Sequence, residues 1–145
     1  MLVKIKKLDP KATIPTCGST LSAGYDVYAC LPEDISIPPH QTKVISTGLA
    51  IEPPSGYYFA LVARSGLATK QGLRLANCYA VCDEDYRGEY KVPLYNDSDT
   101  PRKIKSGDRI AQMILTAYHT CEFSEVDELS DTSRGTGGFG STGTR

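Results

Sequence analysis

Apolar residues in this chain come in short runs, each closed by turn-forming residues. The runs are Leu2 to Ile5, Tyr25 to Ala29, Lys43 to Ile51, Tyr57 to Ala63, Tyr79 to Cys82, Tyr90 to Tyr95 and Ile110 to Leu115. Their Val, Ile, Tyr, Phe and Leu suit a pleated, half-buried surface. Between them stand Asp9-Pro10, Cys17-Gly18-Ser19, Pro38-Pro39, Pro53-Pro54-Ser55-Gly56, Asn96-Asp97-Ser98 and Ser106-Gly107-Asp108. Turn signals at intervals of roughly 8–12 residues predict an all-β sandwich, barrel or jelly roll. Only Leu67 to Gln71, closed by Gly72, reads as a helical turn. The composition changes once, after Leu129. A β domain over 1–129 is therefore followed by a Gly-rich C-terminal arm over 130–145.

The chain has 145 residues, the size of one domain with a real core. Its formal net charge of −1 offers no global field for nucleic acid or an anionic membrane, so neither is expected as a partner. Lys4, Lys6 and Lys7 interrupt the first apolar residues, against a signal peptide. The five cysteines are odd in number and form no C-x-x-C pair. Buried or half-buried free thiols in a reducing cytoplasm are the expectation, with no zinc site.

The arm brings in the first chemistry. Arg134 to Gly143 reads R-G-T-G-G-F-G-S-T-G, with no aliphatic side chain to build a core. Glycines let backbone N–H groups approach phosphate oxygens. Arg134 supplies a forked cation, Ser141 and Thr142 supply hydroxyls, and Phe139 supplies a face for a base. Composition alone fits a disordered tail equally well, but other segments point the same way.

Asp83-Glu84-Asp85-Tyr86-Arg87-Gly88-Glu89 follows the strand Tyr79 to Cys82. An acidic run of this kind is most often a solvated hairpin tip. Here the order places one carboxylate at a strand end, beside a phenol, with Gly88 allowing a sharp return. That is a plausible water-activating base next to a ring that packs a sugar. Arg64-Ser65-Gly66 follows the strand Tyr57 to Ala63 and suits an anion, or equally a helix N-cap at Ser65. Asp26 is a lone acid in an apolar strand, either near a hydrated Mg2+ or outward-facing at an edge. Gln112 is an uncharged donor and acceptor in an apolar strand, while Asp108 and Arg109 read as a structural pair. Two isolated histidines make no Ser-His-Asp set. There is no P-loop, no G-x-G-x-x-G after a strand, and no zinc-deaminase H-x-E with P-C-x-x-C.

Five segments in order, A-G-Y-D-V-Y-A, A-R-S-G-L-A, D-E-D-Y-R-G-E, G-D-R-I-A-Q-M-I and R-G-T-G-G-F-G-S-T-G, resemble the trimeric all-β dUTPases. The match runs from residue 23 to 143. It implies a distorted jelly-roll or β-clip barrel, assembled as a homotrimer with the arm exchanged between subunits. It implies Mg2+-assisted hydrolysis of dUTP to dUMP and pyrophosphate. By this resemblance Asp83 activates the water, Gln112 contacts phosphate or water, and Asp26 attends the metal–triphosphate from the outer sphere. The Mg2+ itself is held mainly by substrate phosphates. Tyr86 packs under deoxyribose. Backbone of Ala80, Val81, Cys82, Asp83 and Lys91 meets uracil, with the Asn77 side chain. Arg64, Ser65 and Gly66 contact phosphates. Arg134, Phe139, Gly140, Ser141 and Thr142 close from a neighbour.

Three positions depart from the family pattern. Ala80 stands for Gly, Cys82 for Ile, and Tyr79 for a small aliphatic residue. The Ala80 methyl is expected to tighten the base pocket or shift the hairpin, and Cys82 to be a neutral change. A dCTP deaminase-like enzyme and a regulatory binding protein of the same fold are the alternatives.

Overall fold

The computed structural model describes residues 1–138. The expectations placed on Phe139, Gly140, Ser141 and Thr142 lie outside the described residues. Strands β1 (Lys4–Lys7), β2 (Thr16–Cys17), β3 (Gly24–Tyr28), β4 (Ile35–Ile37), β5 (Thr42–Ser46), β6 (Leu49–Glu52) and β7 (Tyr57–Val62) precede helix α1 (Ser65–Gln71). Then come β8 (Leu73–Leu75), β9 (Tyr79–Cys82), β10 (Lys91–Asn96), β11 (Arg102–Ile104) and β12 (Arg109–Ala117). The predicted all-β class is correct. Among the described residues the strands form four antiparallel sheets, and no closed barrel is found.

The largest sheet runs β2-β3-β12-β7-β9, and a second runs β5-β10-β8. Between them lies the core. Ile37, Ile45, Leu61, Leu73, Leu75, Val92, Leu94 and Ile110 are fully buried in it. Burying each side chain of this size stabilises by about 1.5–3 kcal/mol. Helix α1 stops where the sequence predicts. Gly72 takes φ +67°, and its N–H caps the Leu67 carbonyl.

The predicted run Lys43 to Ile51 is two strands. Gly48 turns the chain at φ +67°. A side chain there would crowd Ala12, Asp9 and Cys30. The buried Thr47 hydroxyl donates to the Tyr90 carbonyl (2.5 Å), and Gly48 N–H donates to Glu89 Oε1 (2.9 Å). This break therefore anchors the end of the acidic segment.

Two further expectations change. Strands β9 and β10 belong to different sheets, so residues 83–90 are a crossover and not the tip of a paired hairpin. All five cysteines are free, but only Cys30 and Cys82 are buried; Cys17, Cys78 and Cys121 are exposed. Burial, followed by the neighbouring Asp83 charge, pushes the Cys82 thiol up to about 11, as befits a core side chain. No helix among the described residues is long and apolar enough to cross a membrane.

Candidate active site

The five-stranded sheet carries two groups of predicted site residues at opposite corners of one face. The first is built around Asp26 on β3. Strand β12 has a bulge between Arg109 and Ala111, and beyond it Gln112 stands opposite Asp26. Without the extra residue Ala111 would take that place, and Gln112 would point into the core. The Gln112 amide donates to the Ala63 carbonyl at 3.1 Å. It lies against Gly24, where an added Cβ would sit 2.6 Å from Gln112 Oε1. Gly24→Ala is therefore expected to push the amide aside and lower kcat/KM by about 10- to 100-fold. Steady-state turnover checks this, with an unchanged melt showing that the fold survives.

Asp26 is neither an edge residue nor free. Its strand lies between β2 and β12. Arg64 Nε reaches Asp26 Oδ1 at 2.7 Å, and Arg109 Nη1 reaches Oδ2 at 3.1 Å. One carboxylate thus holds two guanidinium groups and leaves a net positive charge. The expected Asp108–Arg109 pair is not formed. The Asp108 carboxylate accepts from Lys105 N–H (2.7 Å) within its own turn. Arg109 is thus a site residue that the sequence reading missed. Its signal lies in the β3–β12 register, which no local motif shows.

Ser65 is the first residue of α1, not its cap. Arg64 is the N-cap, with extended backbone and no capping side-chain bond. The first helical bond is Ala68 N–H to Arg64 O (3.0 Å), so the N–H groups ahead of it point out of the helix. An added Cβ at Gly66 would meet nothing within 4 Å. Asp26, Arg64, Ser65, Gly66, Arg109 and Gln112 share an open polar cleft of about 440 Å³ with Gly24. Two cations, a hydroxyl and free amides in one cleft suit a polyphosphate.

The second group lies on and after β9. Burial alternates along the strand: Tyr79 and Val81 are exposed, Ala80 and Cys82 buried. The Ala80 methyl, expected to tighten the base pocket, is buried in the core cluster and not on the exposed face of the strand. Among the described residues strand β9 pairs with β7 only, which leaves its other edge open there. Asp83 follows at the strand end and lines a second cleft, of about 660 Å³, with Tyr58, Val81, Glu84, Asp85, Arg87 and Tyr118. Tyr86 is exposed and stacks on the buried Tyr90 (centroids 6.0 Å apart, planes at 30°), and its hydroxyl donates to the Glu89 carbonyl at 3.1 Å. Gly88 is needed for that ring, not for an unusual φ: a Cβ there would collide with it. Asn77 and Lys91 flank the group and are exposed.

The sheet register separates the two groups. Asp26, Gln112, Val62 and Tyr79 stand in one row across four strands, about 14 Å wide. Asp83 lies four residues beyond Tyr79, about 13 Å along the strand. A base must come within about 3 Å of the proton it takes, so one chain cannot bring Asp83 and the cationic cleft to the same phosphorus. Arg134, on the segment after β12, is exposed, and its Nε donates to the Gly137 carbonyl at 2.8 Å.

Comparison with known proteins agrees with this chemistry. The dUTPase family model matches residues 10–143. The deoxyuridine 5'-triphosphate nucleotidohydrolase of Nautilia profundicola is 47% identical, with 99% of each chain covered. That of a Picosynechococcus species is 46% identical, over 99% of this chain and all of the other. A mutant dUTPase of Staphylococcus bacteriophage 80alpha, solved with dUpNHpp, is 27% identical and superposes with a TM-score of 0.89 over 99% of both chains. The chain belongs to the dUTPase family and is a hydrolase of dUTP.

Proposed function

We propose that the enzyme works as a homotrimer, each site joining the β9 group of one copy to the Asp26 cleft of another and closed by a C-terminal arm. The observation that carries this reading is the sheet register, which keeps the two groups apart in one chain. The segment from Tyr118 to Gly138 supports the arm. It has no strand or helix, and it exposes Phe123, Val126 and Leu129, side chains that call for cover by another surface.

In the proposed reaction Asp83 takes a proton from water, whose oxygen attacks the α-phosphorus. The bond to the bridging oxygen breaks, and that oxygen leaves with pyrophosphate. Uracil pairs along the open β9 edge (Ala80 to Asp83) and with Lys91 backbone, with Asn77 beside it. Tyr86, stiffened by Tyr90 behind it, supports deoxyribose. Arg64, Ser65, Gly66, Arg109 and Gln112 hold the phosphates, Arg134 takes the terminal phosphate, and Gly140, Ser141 and Thr142 help seal the site with Phe139 over uracil. Preorganised cations in a cleft that excludes water stabilise the charge that develops on phosphate oxygens.

Among the described residues no three His, Cys, Asp or Glu side chains gather to cage a metal. Both Asp26 oxygens are engaged by arginines. This donor set fits a Mg2+ carried on substrate phosphate oxygens, with Asp26 reaching it through water. Bound there, the ion neutralises phosphate charge.

The test is pyrophosphate release from dUTP, UTP, dTTP and dCTP, with and without Mg2+. Release confined to dUTP and strengthened by Mg2+ supports the reading. Equal release from UTP would remove Tyr86 from its role, and ammonia from dCTP would favour a deaminase.

A further inference from the structure

Glu84 follows Asp83, yet its side chain turns back to the body of the domain. Gly56 N–H and the Tyr118 hydroxyl both donate to Glu84 Oε2, each at 2.7 Å. Arg87 Nη1 donates to the Glu84 carbonyl at 2.6 Å and to the Tyr86 carbonyl at 3.2 Å. Tyr86 N–H donates to the Asp83 carbonyl at 3.2 Å, so Glu84 sits inside the turn that carries both Asp83 and Tyr86. Gly56 belongs to the β6–β7 turn, and its carbonyl accepts from Tyr118 N–H at 3.1 Å. Tyr118 is the first residue after β12 and the root of the C-terminal segment. The turns beyond the paired ends of β7, β9 and β12 thus meet at one carboxylate oxygen. The Tyr118 hydroxyl, then the Gly56 amide, hold the Glu84 carboxyl below its ordinary range, and the Tyr118 phenol is raised in turn.

From this geometry we infer that Glu84 is a positioning residue for Asp83, tethering its turn to the β6–β7 turn and to the root of the arm. Among the described residues, 83–90 have no ladder partner to fix them. Without the tether the far end of the segment stays anchored at Thr47, Gly48 and Leu49, but the Asp83 end keeps just the bonds within its own turn and the end of β9, and Asp83 is free to drift from the attacking water. Tyr86 keeps its own stack on Tyr90 and its bond to the Glu89 carbonyl, so substrate affinity changes little. The inference rests on Asp83 being the base.

The test is a set of variants measured for kcat, KM and melting temperature on dUTP. Glu84→Ala is expected to lower kcat by about 10- to 100-fold, the size of a misplaced catalytic group, with a much smaller change in KM. Glu84→Gln keeps an oxygen that accepts both donors and restores most of the loss. Tyr118→Phe, which removes one donor and disturbs the fold least, gives a smaller loss of the same kind. In an Asp83→Asn background, Glu84→Ala adds no further loss, because it acts through the missing base. Unchanged kcat in Glu84→Ala and Tyr118→Phe, with Asp83→Asn inactive, overturns the inference. So does an equal Glu84→Ala loss in the Asp83→Asn background. Full activity of Asp83→Asn alone removes the base itself, and the inference falls with it.

Discussion

Asp83→Asn is expected to lower kcat for dUTP by about 10²–10⁴-fold, the range for loss of a general base, while the nucleotide still binds. The Asp83 side chain is exposed at the end of β9. Among the described residues no donor engages its carboxylate, so nothing competes with a water for its lone pairs. Asparagine has the same shape and leaves the turn bond from Tyr86 N–H to the residue 83 carbonyl intact. It removes only the ability to accept a proton. It also removes a negative charge that would face a polyphosphate, so affinity is held or improved. Pyrophosphate release gives kcat, and titration calorimetry with a non-cleavable dUTP analogue gives affinity. Near-normal turnover would take Asp83 out of the mechanism.

Arg64→Ala is expected to lower kcat/KM by about 10²–10³-fold, as for loss of one preorganised donor at developing charge. Two effects combine. The guanidinium is a phosphate contact, and it also fixes Asp26 through the 2.7 Å pair. That pair is mostly sheltered, with Asp26 15% and Arg64 27% exposed, so water does not replace the lost cation well. Among the described residues Arg109, at 3.1 Å, would be the only side-chain partner left to Asp26. Arg64→Lys should recover only part of the loss, because an ammonium cannot serve carboxylate and phosphate with one planar fork. Steady-state kinetics on both variants checks this. An effect of Arg64→Ala below tenfold would mean that Arg109 holds the phosphates alone.

Much of this was legible in the sequence, and the parts that were not have physical reasons. Strand runs such as Tyr57 to Val62 and Lys91 to Asn96 announce themselves because side chains alternate or stay apolar between strong turns. The two-residue β2 and the three-residue β4, β8 and β11 carry too few positions for any pattern. Gly72 was readable as a stop because a left-handed C-cap favours glycine. Gly48 was hidden inside an apolar run, and only its contacts show why it breaks the strand. Asp83, Tyr86, Arg64 and Gln112 stand in local motifs, which is why the sequence singles them out. Arg109 was given to Asp108, its neighbour in sequence, because the bulge that sends it to Asp26 is a property of two strands. The inward turn of Ala80 follows from register with β7, again a pairing and not a motif. Glu84 looked like solvated acid because its partners, Gly56 and Tyr118, are remote in sequence.

The central claim is that one chain holds two half-sites and a second copy completes each. Mixing Asp83→Asn with Arg64→Ala tests it most directly. Each variant alone is nearly inactive, one lacking the base and the other the phosphate cleft. Unfolded together and refolded as mixed assemblies, they should recover about a quarter of wild-type turnover, since random pairing joins the intact β9 group of one to the intact cleft of the other in one site of four. Turnover no higher than the average of the two separate variants would show that both groups act within a single chain, and would contradict the account.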